Sequence, residues 1–454
     1  MKKLTSGLLT LCPALNLAAC GTQGGQPADN GGNAAAAEPV SVSGTQAAVV
    51  EGFDWGPGVT KTILALDQAI QPESVSAEAF AVKEVKESFD WETMEPEHIM
   101  VENERDVTDA YTCDENGAQV SEASDHIALE LYCAHDTGNP FCYDNNDWKN
   151  LWCSPYQLQV SLTEGAALAA ESGAPVSGLT VAEEIDFSAA QMPDLDGITM
   201  DQSFTGSDGR SLLYASYEPA ASDEKKPLVI WLHGVGEGGD DTSIALLGNE
   251  VTALMKEEFQ TAMGGAYILV PQASSFWMAY DDEGHWDNPG IDSIYRVVLK
   301  ELIDSYVAEN PGIDPNRIII GGCSNGGYMT INMEIHYPDF FAAAYPICEA
   351  YGNANITDEE IRNIATTPTW FVYADNDTTV DPKEHSVPTI ERLRAAGADV
   401  HCSAFEDVHD MNGYTDEDGS PHQYAGHWSW VYFFNNQCED GGVKLWDWLA
   451  QQSR

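Results

Sequence analysis

The stretch RIIIGGCSNGGYMT, residues 317–330, runs from β-branched residues into a glycine-rich turn that holds a cysteine and a serine side by side. Gly322-Cys323-Ser324-Asn325-Gly326 fits G-x-S-x-G. Such glycines allow a strand-to-helix turn too sharp for flanking side chains and leave the central residue at its tip, strained. The pattern gives the nucleophile's position to Ser324 and turns Cys323 inward. A serine hydroxyl is inert at neutral pH unless a base takes its proton and a carboxylate orients that base. The order along the chain should then be serine, acid, histidine. WFVYADNDTTVDP offers Asp375, Asp377 and Asp381, and Asp377 is favoured. His409, His422 and His427 follow in order. Gly426 gives clearance to His427, which is preferred; the acidic neighbours of His409 suggest an exposed loop. His233-Gly234-Val235-Gly236 ends an earlier apolar run. A backbone N–H of Val235 or Gly236, with that of Asn325, would form a hole for a carbonyl oxygen acquiring charge.

Elements that could position these groups are legible around them. KPLVIWLHG, AYILVPQ, RIIIGG, AAAYPIC and TPTWFVYADND are apolar runs of the kind found in buried parallel strands. IDSIYRVVLKELIDSYVAENP has helical spacing and stops at Pro311, and EHSVPTIERLRAAGA and GGVKLWDWLAQQ also read as helices. Strands alternating with helices predict an α/β domain over residues 196–454, a mostly parallel sheet flanked by helices with its catalytic loops at the strand C-terminal ends. Residues 46–195 read differently. KTILALDQAI and YQLQVSLTEG alternate apolar and polar residues, with turns such as DENG and DTGNP between runs, which predicts a small β-sandwich.

The motifs LHGVGEGGDD, PQASSFWM, GGCSNGGYMT, DNDTTVDP and GHWSWVYFFNN, spread over residues 225–436, resemble those of α/β-hydrolase serine esterases of the polyhydroxybutyrate-depolymerase-like and prolyl-oligopeptidase-like group. EGFDWGPGVTKTILAL resembles the immunoglobulin-like N-terminal domain found in some of these esterases. Many relatives read H-G-x-x-D-x-x-V before the acid. Tyr373-Ala374 stands for H-G here, while Asp377 and Val380 keep their places.

The N-terminus is an address rather than a fold. Lys2 and Lys3 precede a short apolar run ending in Leu17-Ala18-Ala19-Cys20, which resembles the lipobox of bacterial lipoproteins. That resemblance implies a signal peptide over residues 1–20, lipid on Cys20 and an extracytoplasmic protein held to the membrane by its anchor alone. Residues 21–45, rich in glycine and alanine, read as a flexible tether. With 73 acidic and 20 basic residues the formal net charge is -53, so nucleic acid and anionic lipid are poor partners. Eight cysteines beyond Cys20 divide evenly between the halves, which suits disulfides in an oxidising compartment. No C-x-x-C pair spells a zinc motif.

The expected chemistry is acyl transfer through Ser324, His427 and Asp377, with no metal or organic cofactor. The expected substrate is a small-molecule or polysaccharide-linked ester. A serine peptidase of prolyl-oligopeptidase type is the near alternative, and a non-catalytic binding lipoprotein on a hydrolase scaffold the distant one. Trp277, Met278, Trp286, Trp428 and Trp430 are candidates for an acyl or sugar pocket.

Overall fold

Residues 156–162 show why the first half is sheet: Tyr156, Leu158 and Val160 are buried while Gln157 and Gln159 face outward, the period-2 pattern of a strand with one wet face. The computed structural model describes residues 37–90, 93–94, 97–286 and 292–454. Residues 38–454 form one compact unit. Cys20 and the expected signal peptide lie outside the described residues.

The sandwich is built from β1 (Val40–Phe53), β2 (Gly56–Ile70), β3 (Phe80–Ser88), β4 (Ile99–Arg105), β5 (Val107–Cys113), β6 (Ser124–Leu131), β7 (Phe141–Asp144), β8 (Lys149–Trp152), β9 (Tyr156–Leu162) and β10 (Val176–Val181). One sheet runs β10-β1-β2-β6-β5 and the other β4-β3-β9, while β7 and β8 make a separate hairpin. Val50, Leu64, Ile127 and Leu129 of the first sheet share a core with Phe80, Val82 and Leu158 of the second. Within it, Arg105 Nη1 lies 3.0 Å from Glu84 Oε1, both side chains fully buried. Arg105 Nη2 also donates to the carbonyls of Val59 and Tyr132, so the charge is ringed by acceptors.

Two expectations are corrected. The tether was placed through residue 45, yet β1 begins at Val40 because Val40–Gly44 pair in parallel with β10. The eight cysteines among the described residues are free thiols. Cys113, Cys323, Cys348 and Cys438 are buried apolar fillers, and burial pushes each thiol above its ordinary range.

The second half forms an eight-stranded sheet from β11 (Thr199–Thr205), β12 (Ser211–Tyr217), β13 (Lys226–Leu232), β14 (Tyr267–Gln272), β15 (Ile313–Cys323), β16 (Ala343–Ile347), β17 (Thr369–Ala374) and β18 (Val400–Phe405). Its order is β11-β12-β14-β13-β15-β16-β17-β18. The β11–β12 and β12–β14 pairs are antiparallel; every other pair is parallel. Alternate residues of β13 feed different cores: Val229 and Trp231 on one face, Leu228, Ile230 and Leu232 on the other. Burial on both faces is why these strands read as unbroken apolar runs. The chain leaves β13 for β14 on one side, then returns to β15 on the other. Strand order therefore reverses between β13 and β15, and a crevice opens beyond their C-terminal ends.

The two halves meet through apolar packing, with Leu247 in the sandwich core and Trp55 against the hydrolase core, and through polar contacts. Asp54, in the β1–β2 turn and 1% exposed, accepts from Asn412 Nδ2 at 2.8 Å and Asn435 Nδ2 at 2.6 Å. Burial, together with the facing Glu250 carboxylate, pushes its acid up to about 9. Folded Asp54 therefore holds a proton that the unfolded chain releases above about pH 4. The folded state binds more protons between those values, so this group's contribution to stability falls as pH rises from about 4 to 9. Asp54→Asn, neutral at every pH, is expected to flatten the decline in melting temperature between pH 5 and pH 9, as read by scanning calorimetry. An unchanged slope would count against a protonated Asp54.

Candidate active site

Ser324 stands at the end of β15, ahead of the helix Asn325–His336, with φ 55° and ψ −112°. That backbone is strained for a residue with a Cβ. Its N–H donates to the Ile347 carbonyl at 2.9 Å, and its own carbonyl accepts from Tyr328 at 2.9 Å, so the turn is held from β16 and from the helix. The flanking glycines are forced by close approach. A Cβ on Gly322 would sit 2.2 Å from the Leu232 carbonyl oxygen, and one on Gly326 1.9 Å from the same atom. Cys323 faces inward, 1% exposed, with Sγ 3.8 Å from Asn249 Oδ1.

The turn after β13 lies beside this elbow. Val235, Asn325 and Ser324 all border one cavity. Behind the turn, His233 is fully buried and pushed down to about 4 by desolvation, so its ring is neutral. Nδ1–H donates to the Gly234 carbonyl at 2.6 Å and Nε2 accepts from the Ala273 N–H at 3.1 Å. Glu237, also fully buried, is pushed up to about 7 by burial, against the pull of the Gly234 N–H.

Asp377 follows β17 and is 4% exposed. Its Oδ1 accepts from the N–H groups of Thr379 and Val380 at 2.8 and 2.9 Å, and its Oδ2 accepts from His427 Nδ1 at 2.8 Å. The carboxylate is thus fixed on one oxygen and orients imidazole with the other. Asp375 and Asp381 are exposed. His409 turns to Asp407, His422 to Asp416 and His401 to Asp440. Among the described residues no hydrogen bond joins Ser324 to His427. Such contacts are often open until substrate is bound.

The cavity, about 240 Å³, is bordered by Trp148, Phe276, Met278, Trp286, Val380 and His385 together with the elbow. Met278 and Trp286 were expected there. Trp277, fully buried, instead supports the site from below: its backbone N–H donates to Asn325 Oδ1 and its indole lies 5.0 Å from the His233 ring. Trp430 is a buried core residue, and its ring meets His427 edge-on at 5.8 Å. Trp428 stacks on Tyr424. Neither borders the cavity.

Sequence reasoning missed Trp148, which comes from the first half. It sits at φ 57° in the turn between β7 and β8, 42% exposed, and meets Trp286 edge-on at 5.8 Å. The same hairpin sends Asn150 Nδ2 to within 3.5 Å of Glu237 Oε1, and Trp152 Nε1 to Asp241 Oδ2 at 3.0 Å. Only the turn-rich DNNDWKN signals a hairpin, and nothing in it says where the tip points.

Residues 46–176 match the esterase Ig-like N-terminal domain family, and residues 219–415 match the phospholipase/carboxylesterase family. The chain is 29% identical over 150 residues to poly(3-hydroxyalkanoate) depolymerase C of Paucimonas lemoignei, covering 31% of this chain and 32% of that one. It is 30% identical over 132 residues to poly(3-hydroxybutyrate) depolymerase of Ralstonia pickettii, covering 28% and 25%. The chain thus spans a third or less of the length of these relatives. A solved structure described as a thermostable esterase shares the fold across both halves, with a TM-score of 0.67 over 91% of this chain and 100% of that one, at 23% identity.

The contact at Leu232 yields a stability test. Gly326→Ala is expected to destabilise the protein by about 3 kcal/mol or more, because backbone rather than a flexible side chain must move. Gly178→Ala, whose backbone is not left-handed and whose new Cβ would meet only the Ser41 side chain, at 3.4 Å, is the control. Equal midpoints for the two variants in urea would contradict the elbow geometry.

Proposed function

We propose that this chain, an esterase-type Ig-like domain joined to a carboxylesterase-class α/β-hydrolase domain, is a lipid-anchored serine carboxylesterase acting outside the cytoplasmic membrane. The observation that carries the reading is a strained serine bordering an apolar cavity, together with a histidine already oriented by a buried carboxylate whose own loop, at Thr379 and Val380, lines that cavity.

In this mechanism Ser324 attacks the ester carbonyl while His427 Nε2 takes its proton. Asp377 holds the ring and stabilises the imidazolium that forms. The N–H of Asn325, at the start of a 12-residue helix, and that of Val235 or Gly236 donate to the oxyanion; the helix dipole adds to the attraction. His427 passes its proton to the leaving alcohol. Water then attacks the acyl carbonyl and gives a proton to His427. The bond from Ser324 Oγ to the acyl carbon breaks, His427 returns the proton to Oγ, and the acid leaves.

The surroundings support an assignment of ester halves to subsites. The cavity walled by Val235, Phe276, Met278 and Trp286 suits an apolar acyl group. Across the Trp148–Trp286 pair lies a second cleft lined by Asn146, Asp147, Lys149, Ser274, Ser275 and Glu283. Its polar groups suit a hydroxylated alcohol such as a sugar. The named activity of the two curated relatives, depolymerisation of polyhydroxyalkanoates, is also ester cleavage.

The test is a comparison of p-nitrophenyl esters with chromogenic peptides. Ser324→Ala is expected to lower ester turnover by about 10⁴-fold or more, while Cys323→Ala retains most of it. Peptide cleavage without ester cleavage would replace the reading with a peptidase. The anchor has its own test: Cys20→Ser should move the protein from the membrane to the soluble fraction, and continued membrane association would remove lipid from the proposal.

A further inference from the structure

Four side chains at the base of the β7–β8 hairpin converge without any part in the mechanism above. Glu87 lies near the end of β3, His98 directly precedes β4, Cys142 is on β7, and Cys153 directly follows β8. Glu87, His98 and Cys142 each offer one ligand atom, a carboxylate oxygen, a ring nitrogen and Sγ, and these lie within 4.8 Å of one another. The Cys153 thiol faces that of Cys142, and both cysteines are 3% exposed.

The hydrogen bonds around the cluster orient its donors. His98 Nε2 is 3.1 Å from the Tyr143 carbonyl, which can only accept, so that nitrogen carries the hydrogen. The other nitrogen, Nδ1, faces the Glu87 carboxylate at 3.2 Å. In a neutral ring that sets two lone pairs against each other, so either a proton, making an imidazolium–carboxylate pair, or a metal cation lies between them. Two ligands about 2.0–2.1 Å from a tetrahedral metal lie about 3.3 Å apart, close to the separation seen here. Glu87 Oε1 accepts from the Ser154 N–H at 2.8 Å, leaving Oε2 for the cluster. A backbone carbonyl on the far imidazole nitrogen and an N–H on the far carboxylate oxygen are the outer contacts that orient metal ligands.

We propose that Glu87, His98 and Cys142 bind a zinc-class divalent cation, with Cys153 turning to fill the fourth position. Thiolate, imidazole and carboxylate together favour zinc over calcium or magnesium, which take oxygen ligands. Binding releases the thiol protons to solvent. The cation ties the end of β3 and the approach to β4 to both strands of the hairpin that carries Trp148 and Asn150 to the hydrolase domain. Its role is structural, and it fixes that hairpin at the end opposite its tip.

The experiment uses the full-length chain, purified with reductant, stripped by chelation and titrated with Co²⁺ and then Zn²⁺ under anaerobic conditions. One equivalent of Co²⁺ should produce the near-ultraviolet thiolate charge-transfer band and the strong visible bands of a tetrahedral site. Zn²⁺ should displace it and raise the melting temperature. Cys142→Ser and His98→Gln should each abolish the charge-transfer band, whereas Cys113→Ser, distant from the cluster, should keep it. His98 is partly exposed, so His98→Gln tests the site even if Cys142→Ser fails to fold. Reduced protein that gives no band, or a band that survives both ligand substitutions, would overturn the proposal. So would a Cys142–Cys153 disulfide that resists reduction in the folded protein.

Discussion

The carbonyl oxygen of Leu232 occupies space that a side chain on Gly322 or Gly326 would need, and both glycines crowd against it from the neighbouring strand and its turn. That crowding brings the ends of β13 and β15 together. It sets Val235 beside Ser324 at the point where strand order reverses, and it aims the N-terminus of the helix Asn325–His336 at the space between them. Interiors packed to crystal-like density transmit such constraints with little give. The remaining groups join the same rim: Asp377 and His427 arrive from loops whose own hydrogen bonds fix their positions, and Trp277 braces Asn325 from beneath.

How much of this could be read from the sequence follows from how local each constraint is. A turn that excludes side chains must be written in consecutive glycines, so the elbow was legible. A strand buried on both faces must be written in consecutive apolar residues, so the parallel sheet was legible as well. Asp377 was distinguished from Asp375 and Asp381 by its place in the loop, and it is the one of the three that is buried and bonded to imidazole. The tryptophans were read less well, because the same residue type serves a core and a cavity wall equally. Trp277 and Trp430 went to the interior, whereas Trp286 kept half its surface free.

Trp148 and Asn150 were beyond reach for a different reason. Their roles depend on where a hairpin in one domain points relative to a second domain, and no periodicity or turn signal encodes that. The cluster at Glu87, His98, Cys142 and Cys153 is hidden in the same way. Its donors come from separate stretches, so the short spacings that betray a zinc finger never arise. Asp54 belongs here too: only the meeting of its turn with Asn412, Asn435 and Glu250 turns an ordinary loop acid into a protonated one.

The hairpin tip has a consequence for how such a protein can diversify. The part of the cavity wall contributed by Trp148 belongs to the sandwich, while Ser324, Asp377 and His427 belong to the α/β half. Substitutions in the β7–β8 turn can therefore widen, narrow or repolarise the cavity entrance without touching Ser324, Asp377 or His427. Lineages sharing this fold could drift apart in the ligands their cavities admit through changes confined to the sandwich.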